Sequence, residues 1–418
     1  MTIADSPQSV VVIGAGMVGC SCAYYLARRG WQVTLLDQGE VGSGCSHGNC
    51  GYICPSHVLP MARPGAITHT LKTMLGKDSP VSMKLSVGLR EWRWLYQFAR
   101  RCRREPMLVA ATARQALLNW SMDLYRQLLA DENLDCEWQD EGLLFVFHRQ
   151  RDFEAYSQTD ALLRERFQLG ADRYDGTALT ELEPALLPGL AGAWHYRSDA
   201  HLRPDRLMQK WPEVLTRYGV EIIPNVAVKE LRAEGGKLAG VTTSQGELSA
   251  ARYVLATGAK SPLLCKHLPF QLPIQPAKGY SITMPRPDTT PRIPLILEDY
   301  HVGVTPMTSG YRLGSTFELA GYDASINQQR VGLLRRAAEK SLRSPYCEPV
   351  EEVWTGWRPM TPDGVPYLGR APHVENLLLA TGHGMLGMSM GPGTGALIAE
   401  LASEVEPTID PTPYSAAR

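Results

Sequence analysis

The alternation of apolar and polar residues near the N-terminus predicts a strand, a helix and a second strand in immediate succession. Four apolar β-forming residues, 10–13, lead into the glycine-rich run 14–19, and an apolar segment of helical period follows as far as Gly30. A second apolar run, 33–36, ends on Asp37. A strand, a glycine turn and a helix in this order form the unit that holds a dinucleotide.

The glycines of this turn have separate predicted tasks. Gly14 makes the tight turn, Gly16 lets the backbone approach a pyrophosphate, and Gly19 lets the helix pack on the strand. The helix N-terminus offers free N–H groups to the phosphates, and Asp37 would accept hydrogen bonds from a ribose. A glycine turn without a ligand is the alternative, which the flanking strands and the acidic residue disfavour. The motif alone does not separate NAD from FAD.

The last part of the chain repeats this design. A strand over 377–380 runs into the glycine-rich loop 381–388, and a helix is predicted over 394–401. A second helix N-terminus can therefore point at an electron-rich group, such as the ring oxygen of a flavin. A long loop over 39–52, rich in glycine and small polar residues, follows the first motif and could reach the same nucleotide.

Between the two motifs the pattern predicts a mixture of helices and short strands. Helices are expected over 84–104, 110–130, 153–163, 205–218 and 328–342. Strands are expected over 142–148, 220–224, 227–233, 238–243, 253–259, 279–284 and 311–316. The segment 52–76 is rich in proline, glycine and histidine and is interpreted as a cover over the nucleotide.

Composition bounds the class of protein. The chain has 418 residues, 44% of them hydrophobic, which predicts a globular protein of two domains. Lys and Arg total 42 and Asp and Glu 43, so the net charge of −1 gives no general attraction to nucleic acid, and no nucleic-acid partner is expected. No signal peptide and no apolar run of roughly 20 residues is visible, so a cytoplasmic location is expected.

Two further features leave alternatives open. His47, Cys50, Cys54 and His57 resemble metal ligands in type, but their spacing is not a standard zinc pattern, and no metal is predicted. The nine cysteines are expected to be thiols rather than disulfides.

The helix over 84–104 carries many arginines around an apolar face. An ordinary packing helix is favoured, and peripheral contact with the inner face of a membrane is the alternative.

Taken together, these motifs resemble the D-amino-acid oxidase and dehydrogenase family of FAD flavoproteins, and most closely its D-amino-acid dehydrogenase branch. The residues that carry the resemblance are 11–19, Asp37, 42–52, 256–258, 358–364 and 382–387. The resemblance implies an α/β fold with a discontinuous Rossmann-type FAD-binding domain and an α+β substrate domain built on a large mixed sheet. It assigns 1–55, 196–266 and 351–418 to the FAD-binding domain and 56–195 and 267–350 to the substrate and cover domain.

The resemblance also implies which residues contact FAD and the substrate. In this sequence the FAD contacts would be Gly14, Gly16, Met17, Val18, Gly19, Asp37, Gln38, Cys45, Ser46, Cys50, Gly51, Tyr52, Val228, Thr257, Gly258, His383, Gly384, Met385, Leu386, Gly387 and Met388. Arg358 matches the arginine that clamps the substrate carboxylate, which suits a planar bidentate donor. Tyr280 and His57 are further candidates for substrate contact, although a packing or loop role is equally compatible with each.

The implied reaction is oxidative deamination of a D-amino acid, with hydride transfer from Cα to the flavin N5. Electrons would then pass to a quinone, another carrier or oxygen. Met385 stands where glycine and sarcosine oxidases carry an arginine, which favours an aliphatic or cyclic substrate. The alternatives are a D-proline or D-hydroxyproline dehydrogenase, a glycine or sarcosine type oxidase, and a flavin-bearing subunit of a larger redox complex.

Overall fold

The computed structural model describes residues 8–73, 81–83 and 88–418, and every structural statement below refers to these residues. In chain order the strands are β1 (Ser9–Ile13), β2 (Gln32–Leu36), β3 (Tyr52–Ile53), β4 (Val81–Met83), β5 (Leu143–Phe147), β6 (Asp172–Asp175), β7 (Gly192–Tyr196), β8 (Ala200–His201), β9 (Glu221–Ile223), β10 (Val228–Glu234), β11 (Lys237–Thr243), β12 (Gly246–Leu248), β13 (Arg252–Leu255), β14 (Gln275–Met284), β15 (Leu295–Leu297), β16 (Val302–Met307), β17 (Gly310–Leu319), β18 (Glu352–Met360), β19 (Tyr367–Ala371) and β20 (Val374–Thr381). The helices are α1 (Met17–Arg28), α2 (Ala66–Thr73), α3 (Leu89–Arg101), α4 (Arg104–Glu132), α5 (Gln150–Phe167), α6 (Gly176–Leu182), α7 (Pro204–Arg217), α8 (Ser261–Leu264), α9 (Gln328–Glu339) and α10 (Gly387–Ala402).

The N-terminal motif lies at the centre of a six-stranded sheet with the order β19-β20-β13-β1-β2-β9. All neighbours in this sheet are parallel except β19 and β20. Because β1 is buried on both faces, its run of apolar residues shows no alternation. Helices α1 and α10 cover one face, and the small sheet β10-β11-β12 packs near the other.

The second large sheet has nine strands and mixes both orientations. Its order is β18-β14-β17-β16-β15-β5-β7-β6, with β4 added beside β17. Strands β5 and β4 run parallel to their partners β15 and β17, and the other pairs are antiparallel. One face carries an apolar cluster that includes residues of α9. The predicted α/β fold with a large mixed sheet is therefore confirmed.

The division into domains stays a prediction, and one strand bears on it. Strand β18 belongs to the nine-stranded sheet, because its residues pair in register with β14 over the whole length from Glu352 to Met360. The predicted boundary at 350/351 had placed this strand with the FAD-binding part of the chain. A boundary after Met360 would fit the strand pairing better.

Three predicted helices have different bounds in the structure. The helix predicted over 84–104 corresponds to α3, which ends at Arg101; residues 84–87 lie outside the described part. Helix α4 begins at Arg104 rather than 110, since Pro106 is tolerated in a first helical turn. Helix α10 begins at Gly387 rather than 394 and includes Pro392.

Close packing against α1 explains why the early part of α10 is rich in glycine. A Cβ atom at Gly391 would lie 2.8 Å from the Met17 side chain, and one at Gly395 would lie 2.5 Å from the backbone of Ser21. These glycines let the two helix backbones approach each other, so here they serve packing inside a helix rather than a turn. The sequence pattern treated 387–393 as loop because glycine and proline usually interrupt helices.

None of the helices in the described ranges is both long enough and apolar enough to cross a bilayer.

Candidate functional site

The two large sheets flank a deep cleft. Its volume is about 1720 Å³, compared with roughly 300–1,000 Å³ for an ordinary small-molecule pocket. The cleft runs from the ends of β1, β2 and β13 across one face of the nine-stranded sheet. It is therefore large enough for a dinucleotide and a small substrate together.

The glycine turn after β1 has the tight geometry that its sequence predicts. Gly14 has a φ of +104°, and a Cβ atom there would lie 2.6 Å from the carbonyl oxygen of Ala256. A Cβ atom at Gly19 would lie 1.7 Å from the carbonyl oxygen of Gly14, so this glycine brings α1 against the turn. Gly16 and the N-terminus of α1 border the cleft.

The groups around this helix end suit the polar parts of FAD. Ser46 from the glycine-rich loop accepts a hydrogen bond of 2.9 Å from the Met17 N–H with its Oγ. The Asp37 carboxylate accepts from the Ala15 N–H at 2.7 Å and from the Gly39 N–H at 2.9 Å, which fixes its position at the end of β2. Each carboxylate oxygen retains acceptor capacity for a ribose hydroxyl. The donor and acceptor set therefore fits a pyrophosphate and a ribose.

The second glycine-rich loop lies on the other side of the cleft. Its His383 forms a β-bridge with Met360 and hydrogen-bonds through Nε2 to the Thr394 hydroxyl at 2.9 Å. Burial lowers the pKa of His383 to about 3, so the imidazole is neutral. Met385 is 40% exposed on the cleft wall, and α10 begins two residues later. The loop thus presents backbone and apolar groups to the cleft.

Most of the residues predicted to contact FAD line this one cleft. They are Gly14, Gly16, Met17, Val18, Asp37, Gln38, Cys45, Ser46, Cys50, Tyr52, Val228, Thr257, Gly258, His383, Gly384, Met385, Leu386, Gly387 and Met388. Gly19 and Gly51 are not among the residues that line the cleft. A Cβ atom at Gly51 would lie 2.0 Å from the carbonyl oxygen of Leu202. Their individual contacts with FAD stay predictions.

Arg358 lies across the cleft face of β14. A Cβ atom at Gly279 would lie 2.5 Å from one guanidinium nitrogen, so the guanidinium rests directly on that glycine. Its Nη1 donates to the carbonyl oxygen of Thr316. Within the described ranges no carboxylate lies in ion-pair distance of Arg358. Burial lowers the pKa of the guanidinium, although an arginine stays protonated in proteins.

A backbone irregularity aims the Thr316 carbonyl at Arg358. Ser315 and Thr316 have φ values of +105° and +60°, which L-residues seldom adopt, and they coincide with a register shift between β14 and β17. Such conformations cost about 1–3 kcal/mol each and tend to occur at functional sites. The bulge leaves Arg358 with one backbone acceptor and with donors still available.

His57 lines the cleft beside a buried polar group. Its ring lies 5.4 Å from the Phe145 ring, and its Nδ1 lies 3.4 Å from Ser56 Oγ. Ser56 donates from its backbone N–H and from its hydroxyl to Asp199, whose pKa burial raises to about 7. Burial, together with the charge of Arg114, lowers the pKa of His57 to about 4, so its imidazole is neutral near pH 7.

The structure does not support a substrate contact from the Tyr280 side chain. The side chain is 1% exposed and belongs to the apolar cluster on the opposite face of the sheet. Its hydroxyl donates to Glu318, and burial raises its pKa. Because successive strand residues point to opposite faces, Gly279 faces the cleft, whereas Tyr280 borders the cleft but packs its side chain into the cluster on the other face. The sequence could not show which parity faces the cleft.

The four residues weighed as metal ligands do not form one site. His47 hydrogen-bonds to Glu352 at 2.9 Å, while the Cys50 thiol lies against the backbone positions of Gly303 and Gly314. Cys54 and His57 do lie close together, with their ligand atoms and an Asp199 oxygen within 4.8 Å of one another. Burial raises the pKa of the Cys54 thiol well above its usual range, which disfavours the thiolate that a metal requires.

Other residues of the cleft had no recognised signal in the sequence. Trp354, Thr316, Phe145, Phe147, Tyr156 and Glu298 all line it. Trp354 lies directly over Gly48 of the glycine-rich loop, where a Cβ atom would come within 2.1 Å of the indole ring. Glu298 directly follows an apolar strand, and a carboxyl group at a strand end was the signal that could have found it.

Comparisons with known proteins agree with this geometry. A family model described as FAD dependent oxidoreductase matches residues 9–401. The chain is 32% identical to a protein named D-amino acid dehydrogenase from Rhodopseudomonas palustris (strain HaA2), over 98% of each chain. It is 31% identical to another protein of that name from Granulibacter bethesdensis, over 98% of this chain and 99% of the relative.

Solved structures show the same fold at lower sequence identity. Glycine oxidase from Geobacillus kaustophilus has a TM-score of 0.78 and 20% identity, with 98% of this chain and 99% of that chain covered. L-proline dehydrogenase from P. horikoshii has a TM-score of 0.73 and 20% identity, with coverage of 98% and 97%.

Proposed function

Since the chain belongs to the family of FAD-dependent oxidoreductases, we propose that it is a D-amino-acid dehydrogenase. The family resemblance and the FAD cofactor that the sequence motifs predict are confirmed at this level. The substrate class follows from two full-length relatives that carry the name D-amino acid dehydrogenase. The proposed reaction oxidises the Cα–N bond of a D-amino acid to an imine.

The observation that carries the proposal is the unpaired guanidinium of Arg358. A charged group at the wall of a largely buried cleft needs a compensating charge or hydrogen-bond partners. Arg358 has one carbonyl partner, from Thr316, and no carboxylate in the described part of the chain. A substrate carboxylate would supply the missing charge and could bind the fork of N–H groups bidentately.

The residues of the cleft divide the remaining tasks between them. When bound, FAD would be the oxidant and would accept the hydride from the substrate α-carbon. Arg358 would hold the carboxylate and so orient the α-carbon. His57, with its neutral imidazole, is a proposed hydrogen-bond acceptor for the substrate amine, with Ser56 and Asp199 behind it.

Two alternative functions would use the same cleft but would require different side chains in it. A glycine or sarcosine type oxidase is less well supported, because Met385 offers no second cationic contact. A D-proline or D-hydroxyproline dehydrogenase would use the same Arg358 and differ in the shape of the pocket. The fold shared with glycine oxidase and L-proline dehydrogenase does not decide between them, since it occurs at 20% identity.

Substitution of Arg358 tests the proposal. We expect Arg358→Ala to weaken the affinity for a D-amino acid by roughly 100-fold, because a desolvated charge pair is lost. It should also remove the preference for the free acid over its methyl ester. Apparent affinities are measured by anaerobic bleaching of the flavin, with FAD content checked by absorbance. Arg370→Ala, which removes an exposed arginine paired with Glu404, is the control.

An unchanged affinity for the free acid in FAD-loaded Arg358→Ala would contradict the carboxylate clamp. A variant that retains its ester discrimination would contradict it as well.

The electron acceptor is proposed to be a membrane quinone or a carrier close to the membrane. The support is helix α3, where Leu89, Trp92 and Tyr96 are exposed at helical spacing. Six arginines and one glutamate lie between residues 89 and 104. Exposed aromatic and apolar residues beside arginines are typical of contact with an anionic membrane surface. The opposite side of α3 packs inward through Trp94, whose indole N–H donates to the Met360 carbonyl.

A further inference from the structure

Glu298 lies on the same sheet face as Arg358, farther along the cleft. Leu297 pairs with Val302, and Val302 pairs with Ser315. Glu298 and Thr316, the residues next to these paired positions, both line the cleft, and the strands beside them are two positions apart, about 10 Å between their backbones. Since the Thr316 carbonyl receives the Arg358 guanidinium, this guanidinium and the Glu298 carboxyl group border the same cleft.

Aromatic rings surround the Glu298 end of the cleft. Phe145 and Phe147 lie on the neighbouring strand, and Tyr156 packs against both, with ring centroids 5.8 and 5.3 Å away. All three residues line the cleft. A carboxylate among aromatic rings is the environment that binds ammonium and guanidinium groups, through charge and through the faces of the rings.

Among the residues that the structure describes, Glu298 has no close arginine or lysine partner. Its side chain is 21% exposed, and the nearest ion-pair contact is with His301, at 3.9 Å. Arg63 on the cover segment attracts it electrostatically but does not come within ion-pair distance. Burial outweighs this attraction and raises the pKa of Glu298 to about 7. The neighbouring Asp299 is already engaged by His148 and Arg149.

We propose that the site selects D-amino acids with a cationic side chain, which Arg358 holds by the carboxylate and Glu298 by the terminal cation. This inference rests on the proposed function and names its substrate class. An extended side chain of lysine or arginine length suits the separation of the two groups across two strands. It differs from the aliphatic or cyclic substrate that Met385 suggests; the loop of Met385 bridges to β18, whereas Glu298 follows β15, four positions away in the sheet.

The first test measures binding without turnover. 6-Aminohexanoate carries a carboxylate and an ammonium group at lysine spacing but no α-amine, and hexanoate is its neutral-ended counterpart. We expect the FAD-loaded protein to bind 6-aminohexanoate at least about tenfold more tightly than hexanoate in calorimetry. Glu298→Gln should abolish this difference, and hexanoate binding should stay unchanged. Glu230→Gln, an exposed position on β10, is the matched control.

The second test compares substrates. The rate of anaerobic flavin reduction by D-lysine and D-arginine is compared with the rate for D-norleucine and D-citrulline, whose side chains have similar length and no charge. Higher kcat/KM for the cationic pair, lost in Glu298→Gln, supports the proposal. Equal values in the wild-type protein overturn it and leave the dehydrogenase function standing. If no D-amino acid reduces the flavin, the proposed function fails, and this inference fails with it.

The variant Arg63→Gln tests the alternative explanation that Arg63, rather than a substrate cation, is the partner of Glu298. If Arg63 acts as the resident partner of Glu298, removing it should create a preference for the cationic ligand that the wild-type protein lacks. That result would overturn the proposal. A preference already present in the wild-type protein and kept in this variant supports it.

Discussion

The guanidinium of Arg358 and the backbone of Gly279 are in direct contact, and this contact depends on the absence of a side chain. Three guanidinium atoms would lie within 3.0 Å of a Cβ atom at this glycine. A methyl group would therefore push the guanidinium out of its position. A shift of this kind is costly, because a misplacement of about 1 Å at a reacting centre can lower a rate by roughly 100-fold.

We predict that Gly279→Ala lowers kcat/KM for a D-amino acid by at least about tenfold while FAD binding changes little. The measurement is steady-state dye reduction, with flavin content determined in parallel. Gly332→Ala is the matched control, since that glycine lies in α9, where a Cβ atom meets only the end of the Arg336 side chain. Wild-type kinetics in Gly279→Ala would show that Arg358 does not act from the observed position.

For single residues, the sequence could predict roles that belong to a local motif but not roles that depend on how strands pair. Arg358 could be named because it stands within a recognisable motif. For Tyr280 the sequence left a substrate contact and a packing role equally open, since the face that a strand residue occupies depends on pairing with its neighbours. Glu298 was missed because its proposed role depends on lining the same cleft as Arg358, which lies on β18, a strand distant in sequence from β15.

Helix α3 is the element with the most unusual surface. Leu89 is 92% exposed, Trp92 61% and Tyr96 63%, although residues of this size are normally covered. We predict that the protein binds vesicles containing anionic lipid at low ionic strength and is released by salt, because the attraction is electrostatic and screened. Cosedimentation with anionic and neutral vesicles measures this binding.

Two variants make the vesicle test specific. Trp92→Ser combined with Arg90→Glu should lower anionic-vesicle binding several-fold, through lost apolar burial and a reversed charge. Arg151→Glu, at an exposed position on α5, keeps the change of charge and should bind as the wild type does. Equal binding by both variants, or no preference for anionic vesicles, would refute the assignment of α3 as a membrane contact.

Helix α10 shows where element prediction reached its limit. The strand and glycine loop before it were predicted from apolar pattern and turn residues, but the helix began seven residues earlier than the pattern indicated. Gly391 and Gly395 are helical and pack closely against α1, a contact between distant segments that a local pattern cannot reveal. Elements that the local pattern alone identifies, such as the amphipathic helix α7 and the continuous apolar run of β1, were placed within a few residues.

At the scale of the molecule, the two glycine motifs near the chain ends meet at one cleft. The first joins β1 to α1 and the second joins β20 to α10, with both strands in the same sheet. The sequence could predict this meeting because parallel strands present their carboxyl ends at one edge. It could not predict the strand order of the nine-stranded sheet, whose pairings join segments far apart in the chain.

The central claim is that this cleft holds FAD beside a D-amino acid whose carboxylate is bound by Arg358. The most direct measurement is anaerobic titration of the FAD-loaded protein with paired D- and L-enantiomers, followed by the loss of the oxidised flavin absorbance. We predict that the D-enantiomers bleach the flavin and that the L-enantiomers do not. A flavin that stays oxidised with every D-amino acid, or that is bleached equally by both enantiomers, would contradict the claim.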